Sequence, residues 1–98
     1  MKIIRTPEHI EFCKMVGANL RYARIVRGLT QARVGELIAI RFQQIQKYEA
    51  GTNGLTAWRL QQLAHSLKVS VLDILNSNYI ADSCNKKVAS YQLELPLK

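Results

Sequence analysis

The stretch from Gln31 to Gly51, QARVGELIAIRFQQIQKYEAG, constrains the fold more than any other. Its apolar and small residues do not follow one continuous helical period. Val34, Leu37 and Ile38 stand at i, i+3 and i+4 and predict a short helix over 31–38 with one apolar face. Ile45 and Tyr48 form a second inward stripe, over about Phe42 to Glu49. Ala39-Ile40-Arg41 falls between them as a sharp turn, with Ile40 plugging the core. Gly35 sits where the two short helices approach most closely, so its missing side chain has a packing reason. Phe42, Gln43, Gln44, Gln46 and Lys47 lie off the Ile45–Tyr48 face. The second helix therefore presents a polar side with three glutamines in five residues.

The flanking sequence reads as further helices. Thr6-Pro7-Glu8 is a start signal: Thr6 caps, Pro7 suits the first helical position, and Glu8 and Glu11 favour the positive end of the dipole. Phe12, Cys13, Val16, Leu20, Ala23 and Arg24 then recur at helical spacing, with Gly17 inside the stripe allowing a close helix approach. Arg21, Arg24 and Arg27 load the C-terminal half before Gly28 ends the helix. Thr30 is the cap for the 31–38 helix. After the Ala50-Gly51-Thr52-Asn53-Gly54 loop, Thr56 caps a helix in which Leu60, Leu63, Ala64 and Leu67 repeat at i, i+3, i+4 and i+7. Trp58 lies on its outer face. Ser70 and Asp73 resemble a capping box opening a last short helix, VLDIL. Asn76-Ser77-Asn78 ends the compact part, which takes residues 1–78. In the tail, 79–98, residues 81–87 are polar and turn-rich. Ala89, Tyr91, Leu93 and Leu95 alternate with Ser90, Gln92 and Glu94, the pattern of a strand over 88–95. The expected class is all-α: a compact five-helix domain with a C-terminal tail.

At 98 residues, 48% hydrophobic and 21% charged, the chain suits one ordinary globular domain. The formal net charge of +7 favours an anionic partner. Nearly all of that excess falls in residues 1–75, with eleven basic against five acidic side chains. Cys13 and Cys84 form no CxxC pair, and without an export signal they read as reduced cytoplasmic thiols. His9 and His65 stand alone, so no metal site is expected. No paired carboxylates, Cys–His set or phosphate-cradling glycine loop points to catalysis, and neither a catalytic residue nor a cofactor is expected. No apolar run approaches the roughly 20 residues of a membrane span.

Val34, Gly35, Ile38, Ile40, Ile45 and Tyr48 occupy the positions at which a helix-turn-helix unit must be apolar or small. With LRYARIVRGLTQ (20–31), IRFQQIQKYEAG (40–51) and LQQLAHSLKVSVLDIL (60–75) in this order and at these gaps, residues 16–75 resemble the Cro/cI-type helix-turn-helix family, the xenobiotic-response-element group of lambda-repressor-like domains. The resemblance implies a five-helix fold that binds operator DNA as a homodimer. It places Gln31 against a DNA phosphate while steadying a side chain of the reading helix. It puts Phe42, Gln43 and Lys47 on base edges, with Gln44 facing base or backbone. Arg24 and Glu49 match a buried or half-buried salt bridge, and Thr52 and Asn53 match the loop that touches the sugar-phosphate chain. Three positions depart from the family pattern: Ala39 stands where Gly is usual, Arg41 where Ser or Thr caps, and Leu55 where Pro is frequent.

Side-chain chemistry points the same way. Gln43 or Gln44 suits adenine N6 and N7, Lys47 suits guanine O6 or N7, and Phe42 can cover a thymine methyl or fold back as a staple. Arg33 and Arg41 put positive charge at helix starts, against the dipole, at about 0.3–1 kcal/mol each. Residues that break a local rule are expected at functional sites, and both arginines are assigned to phosphates. The sequence thus predicts a sequence-specific regulator, a repressor, that binds an inverted repeat of double-stranded DNA in the cytoplasm. The alternative is an antitoxin-type module whose tail binds a protein partner while the helices autoregulate the operon.

Overall fold

The computed structural model describes residues 5–85, and these are helical wherever they are regular. The first five helices are, in order, α1 (Pro7–Val26), α2 (Gln31–Ile38), α3 (Phe42–Ala50), α4 (Ala57–Leu67) and α5 (Val71–Leu75). Four of them start on a hydroxyl cap. Thr6, Thr30, Thr56 and Ser70 accept from the backbone N–H three residues on, satisfying a donor the helix leaves open. The fifth, α3, has Arg41 at this position and no side-chain cap.

Four helices stop in the same way. Gly28, Ala39, Gly51 and Lys68 take positive φ. The next residue in each case, Leu29, Ile40, Thr52 or Val69, then donates its N–H back across six residues to Arg24, Gly35, Lys47 or Ala64. This is the Schellman arrangement, and it commonly brings the residue after the left-handed one into hydrophobic contact. Leu29, Ile40 and Val69 do pack against the core. Ala39 (φ 59°) and Lys68 (φ 56°) hold the left-handed region without being glycine.

Val16, Leu20, Ala23, Val34, Ile38, Ile45, Leu63, Ala64, Leu67 and Ile74 form one buried cluster drawn from all five helices. Helix α1 is the common strut, packed on α3, α4 and α5, and α2 packs on α3 and α4. Polar groups of the α1 region also close the C-terminal ends of three other helices. Arg5 donates from Nη1 and Nη2 to the carbonyls of Thr52 and Gly51, each at 3.0 Å. Arg27 donates to the carbonyls of Leu67 (2.9 Å) and Lys68 (3.2 Å). Asn19, 2% exposed, donates to those of Ile74 (2.8 Å) and Asn76 (2.9 Å). Apart from the Asn76 carbonyl, which also accepts from Tyr79 N–H at 3.0 Å, these are carbonyls that a helix end leaves without partners, and the two arginines also suit the negative end of the dipole.

Three sequence expectations are corrected. Leu37 is 45% exposed. The buried arc of α2 is Val34, Gly35 and Ile38, and at 3.6 residues per turn Leu37 lies roughly 100° from its centre. Phe12 is 47% exposed, at the rim of an apolar pocket beyond the main cluster. Residues 79–85, of which 81 onward read as turn-rich, form a sixth helix, α6. Asp82, Ser83 and Asn85 give it little helical preference, and tertiary contact overrides this. Asn76 Oδ1 accepts from Asn78 N–H at 2.9 Å, turning the chain into α6. Tyr79 then meets Tyr22 of α1 edge to face, with ring centroids 5.7 Å apart. Burial, followed by the nearby Asp73 charge, raises the Tyr79 phenol above its ordinary pKa. The strand expected at 88–95 lies outside the described residues.

Candidate nucleic-acid interface

Helix α3 is fixed from behind. Ile45 is buried in the core, and Tyr48 packs at its edge. Glu49 is held by a guanidinium fork: Arg24 Nε donates to Oε2 at 2.7 Å and Nη2 to Oε1 at 3.0 Å. The two side chains are only 12% and 5% exposed. Gln31, half-buried in the first turn of α2, donates from Nε2 to the same Oε1 at 3.0 Å. Arg24 Nη1 also donates to the Leu29 carbonyl at 2.9 Å. One carboxylate thus ties α1, α2 and α3 together through charge-assisted bonds, which fix both angle and distance.

The turn before α3 is equally tight. A Cβ at Gly35 would stand 2.6 Å from the Ile40 carbonyl oxygen, so only glycine lets α2 and α3 come this close. On α1, a Cβ at Gly17 would collide with the carbonyls of Tyr48 and Glu49.

The outer side of α3 is open. Gln43 and Lys47 are exposed and Gln44 is half-buried. With Arg41, Ile40, Tyr48 and Arg59 of α4 they line one polar cleft. The structure thus brings together four of the residues singled out from sequence: Arg41, Gln43, Gln44 and Lys47. Phe42 is exposed at the first position of α3. Arg33 is exposed in the first turn of α2, 3.6 Å from Glu36, a spacing that holds it weakly. Thr52 spends both its donors, N–H and hydroxyl, on the Lys47 carbonyl at 3.1 Å. Asn53 is half-buried and lines the apolar pocket with His9, Phe12 and Leu55, apart from the cleft.

Sequence reasoning missed Arg59, Arg5, Asn19 and Arg27. Arg59 carried a readable signal: it stands three residues after Thr56, a basic side chain in a helix's first turn, as Arg33 does after Thr30. The contacts of the other three span long sequence separations and left no local pattern, and Arg27 reads in the sequence only as charge at the end of its own helix.

Two short helices joined through a left-handed residue, one locked into a bundle and presenting a polar side, define a helix-turn-helix domain. Residues 20–74 match the helix-turn-helix family model. The chain belongs to the Cro/cI-type helix-turn-helix family. It is 38% identical over 86 residues to y4wC of Sinorhizobium fredii (strain NBRC 101917 / NGR234), described as an uncharacterized HTH-type transcriptional regulator. That match covers 83% of this chain and 57% of the relative. The chain therefore spans a little over half the length of that protein. Among solved structures, the clp gene regulator ClgR from Corynebacterium glutamicum superposes with a TM-score of 0.66 at 26% identity, covering 88% of this chain and 89% of that one. The DNA-binding domain of BldD from S. venezulae gives a TM-score of 0.61 at 32% identity, covering 67% and 99%. No helix among the described residues is long and apolar enough to cross a membrane.

Proposed function

We propose that the chain is a sequence-specific DNA-binding transcriptional regulator that represses by occupying its operator. The observation that carries this reading is the two-sidedness of α3. Arg41, Gln43, Gln44 and Lys47 share one open cleft, while Ile45 and Glu49 lock the opposite side. In the proposed complex α3 enters the major groove. Gln43 or Gln44 takes adenine N6 and N7, Lys47 takes guanine O6 or N7, and the exposed Phe42 covers a thymine methyl. Gln31 keeps one amide N–H on Glu49 and gives the other to a phosphate. Arg33, Arg41 and Asn53 take further phosphates, and Thr52 joins them by turning its hydroxyl away from the Lys47 carbonyl. These contacts set register and orientation, and the base contacts set sequence.

The protein acts as a homodimer. Two copies of α3 reach successive major grooves about 34–36 Å apart on an inverted repeat. The antitoxin alternative keeps the same DNA contacts and adds a protein partner on the tail, of which residues 86–98 lie outside those described.

Selection of bound duplexes from a random pool at stated salt tests the reading. An enriched inverted repeat, with half-site centres one helical turn apart, is the expected outcome. Recovery of unenriched sequence would overturn it.

A further inference from the structure

The cleft beside α3 holds three cationic side chains, Arg41, Lys47 and Arg59, around the amides of Gln43 and Gln44. Among the described residues none of the three pairs with a carboxylate. Positive charge gathered in a cleft without a counter-charge attracts an anion to it. Arg41 comes from the turn and Lys47 from α3. Arg59 comes from α4, which the proposed function does not otherwise use.

Arg59 is oriented. It is half-buried, and its Nη1 donates to Gln62 Oε1 at 2.8 Å, one turn along α4. That bond leaves most of the five N–H donors of the guanidinium available to a ligand. The local sequence adds an independent observation. Thr56 and Arg59 repeat the spacing of Thr30 and Arg33, and in both pairs the threonine hydroxyl accepts from the arginine backbone N–H. A capping box places Glu or Gln at that third position, and the helix dipole disfavours a cation there. Helices α1 and α5 follow the rule, with Glu8 and Asp73 in their first turns, whereas α2, α3 and α4 have no acid there.

We infer that Arg59 binds a phosphodiester group of the DNA strand beside α3 and so sets how deeply that helix sits in the groove. This rests on the DNA-binding reading. As a backbone contact, Arg59 adds affinity on any sequence and carries no base preference. Its partner is the phosphate itself, reached across the same cleft that presents Gln43 and Lys47 to the bases.

The test is equilibrium binding of the parent protein, Arg59→Gln and Arg59→Lys to the selected duplex and to an unrelated duplex over a salt series. Repeating the selection with Arg59→Gln completes it. Arg59→Gln should lower the slope of log K against log salt by about 0.9, the loss of one phosphate contact. It should weaken both duplexes by a similar factor and leave the selected sequence unchanged. Arg59→Lys should keep the slope. If Arg59→Gln matches the parent in slope and affinity, the assignment is wrong while the DNA reading stands. A shifted base preference also overturns it, because Arg59 would then read a base. A parent protein that binds neither duplex overturns the DNA reading and this inference together.

Discussion

Arg24 Nε meets Glu49 Oε2 at 2.7 Å, joining the last turn of α1 to the end of α3. The pair is nearly dry, so its worth lies in what happens when it is broken. Removing one partner of a buried pair leaves an uncompensated charge and costs about 3–5 kcal/mol, whereas replacing both with apolar residues is often close to neutral. Arg24→Ala should therefore destabilise by about 3–5 kcal/mol in denaturant unfolding. The double variant Arg24→Met, Glu49→Met should be more stable than either single replacement. An additive double variant would show that the two side chains do not act as a unit.

The same carboxylate holds Gln31. Glu49→Gln keeps the shape but leaves the Arg24 charge uncompensated, at about 3–5 kcal/mol of stability. DNA affinity should fall further than stability alone explains, measured well below the melting temperature, because Gln31 and α3 lose their shared anchor. Unchanged affinity in a folded Glu49→Gln protein would remove the network from the binding account.

The turn between α2 and α3 offers a gain of stability. Ala39 sits at φ 59°, where an L-residue with a side chain is disfavoured by roughly 1–2 kcal/mol. Part of any gain from glycine is lost to its freer unfolded chain. Ala39→Gly should thus raise stability by about 0.5–1 kcal/mol in thermal or denaturant melts. Gly35→Ala should do the opposite and cost about 1–3 kcal/mol, because the added methyl meets the Ile40 carbonyl. It should also weaken DNA binding by forcing α2 and α3 apart.

Arg5 reaches from before α1 to the carbonyls of Gly51 and Thr52, outside the residues matched to the family. Arg5→Ala should lower stability by about 1–2 kcal/mol, a drop in melting temperature of roughly 4–8 °C per kcal/mol in a domain of this size. An unchanged melt would show that the α3 C-terminus needs no cap from Arg5.

Much of this architecture was legible because helix ends are local. Four hydroxyl caps and the glycines after α1 and α3 bound the helices within a residue or so, and the i, i+3, i+4 spacing of Leu60, Leu63, Ala64 and Leu67 placed α4. What was not legible depends on tertiary placement. Leu37 reads as core by spacing and is turned outward by the arc α2 presents to α3 and α4. Helix α6 depends on Tyr22, 57 positions before Tyr79 in the numbering. Asn19, Arg5 and Arg27 cap helices that only the folded bundle brings to them. Arg59 was readable by the rule that singled out Arg33 and Arg41, a cation where a helix start favours an acid.

Base reading by the outer side of α3 is tested most directly by the DNA selection repeated with Gln43→Ala and Lys47→Ala beside the parent protein. Both side chains are exposed, so both variants should fold. Each variant should lose preference at its own position of the half-site, by about 1–3 kcal/mol of discrimination, and keep it elsewhere. Two folded variants that select the same sequence as the parent would contradict base reading by α3.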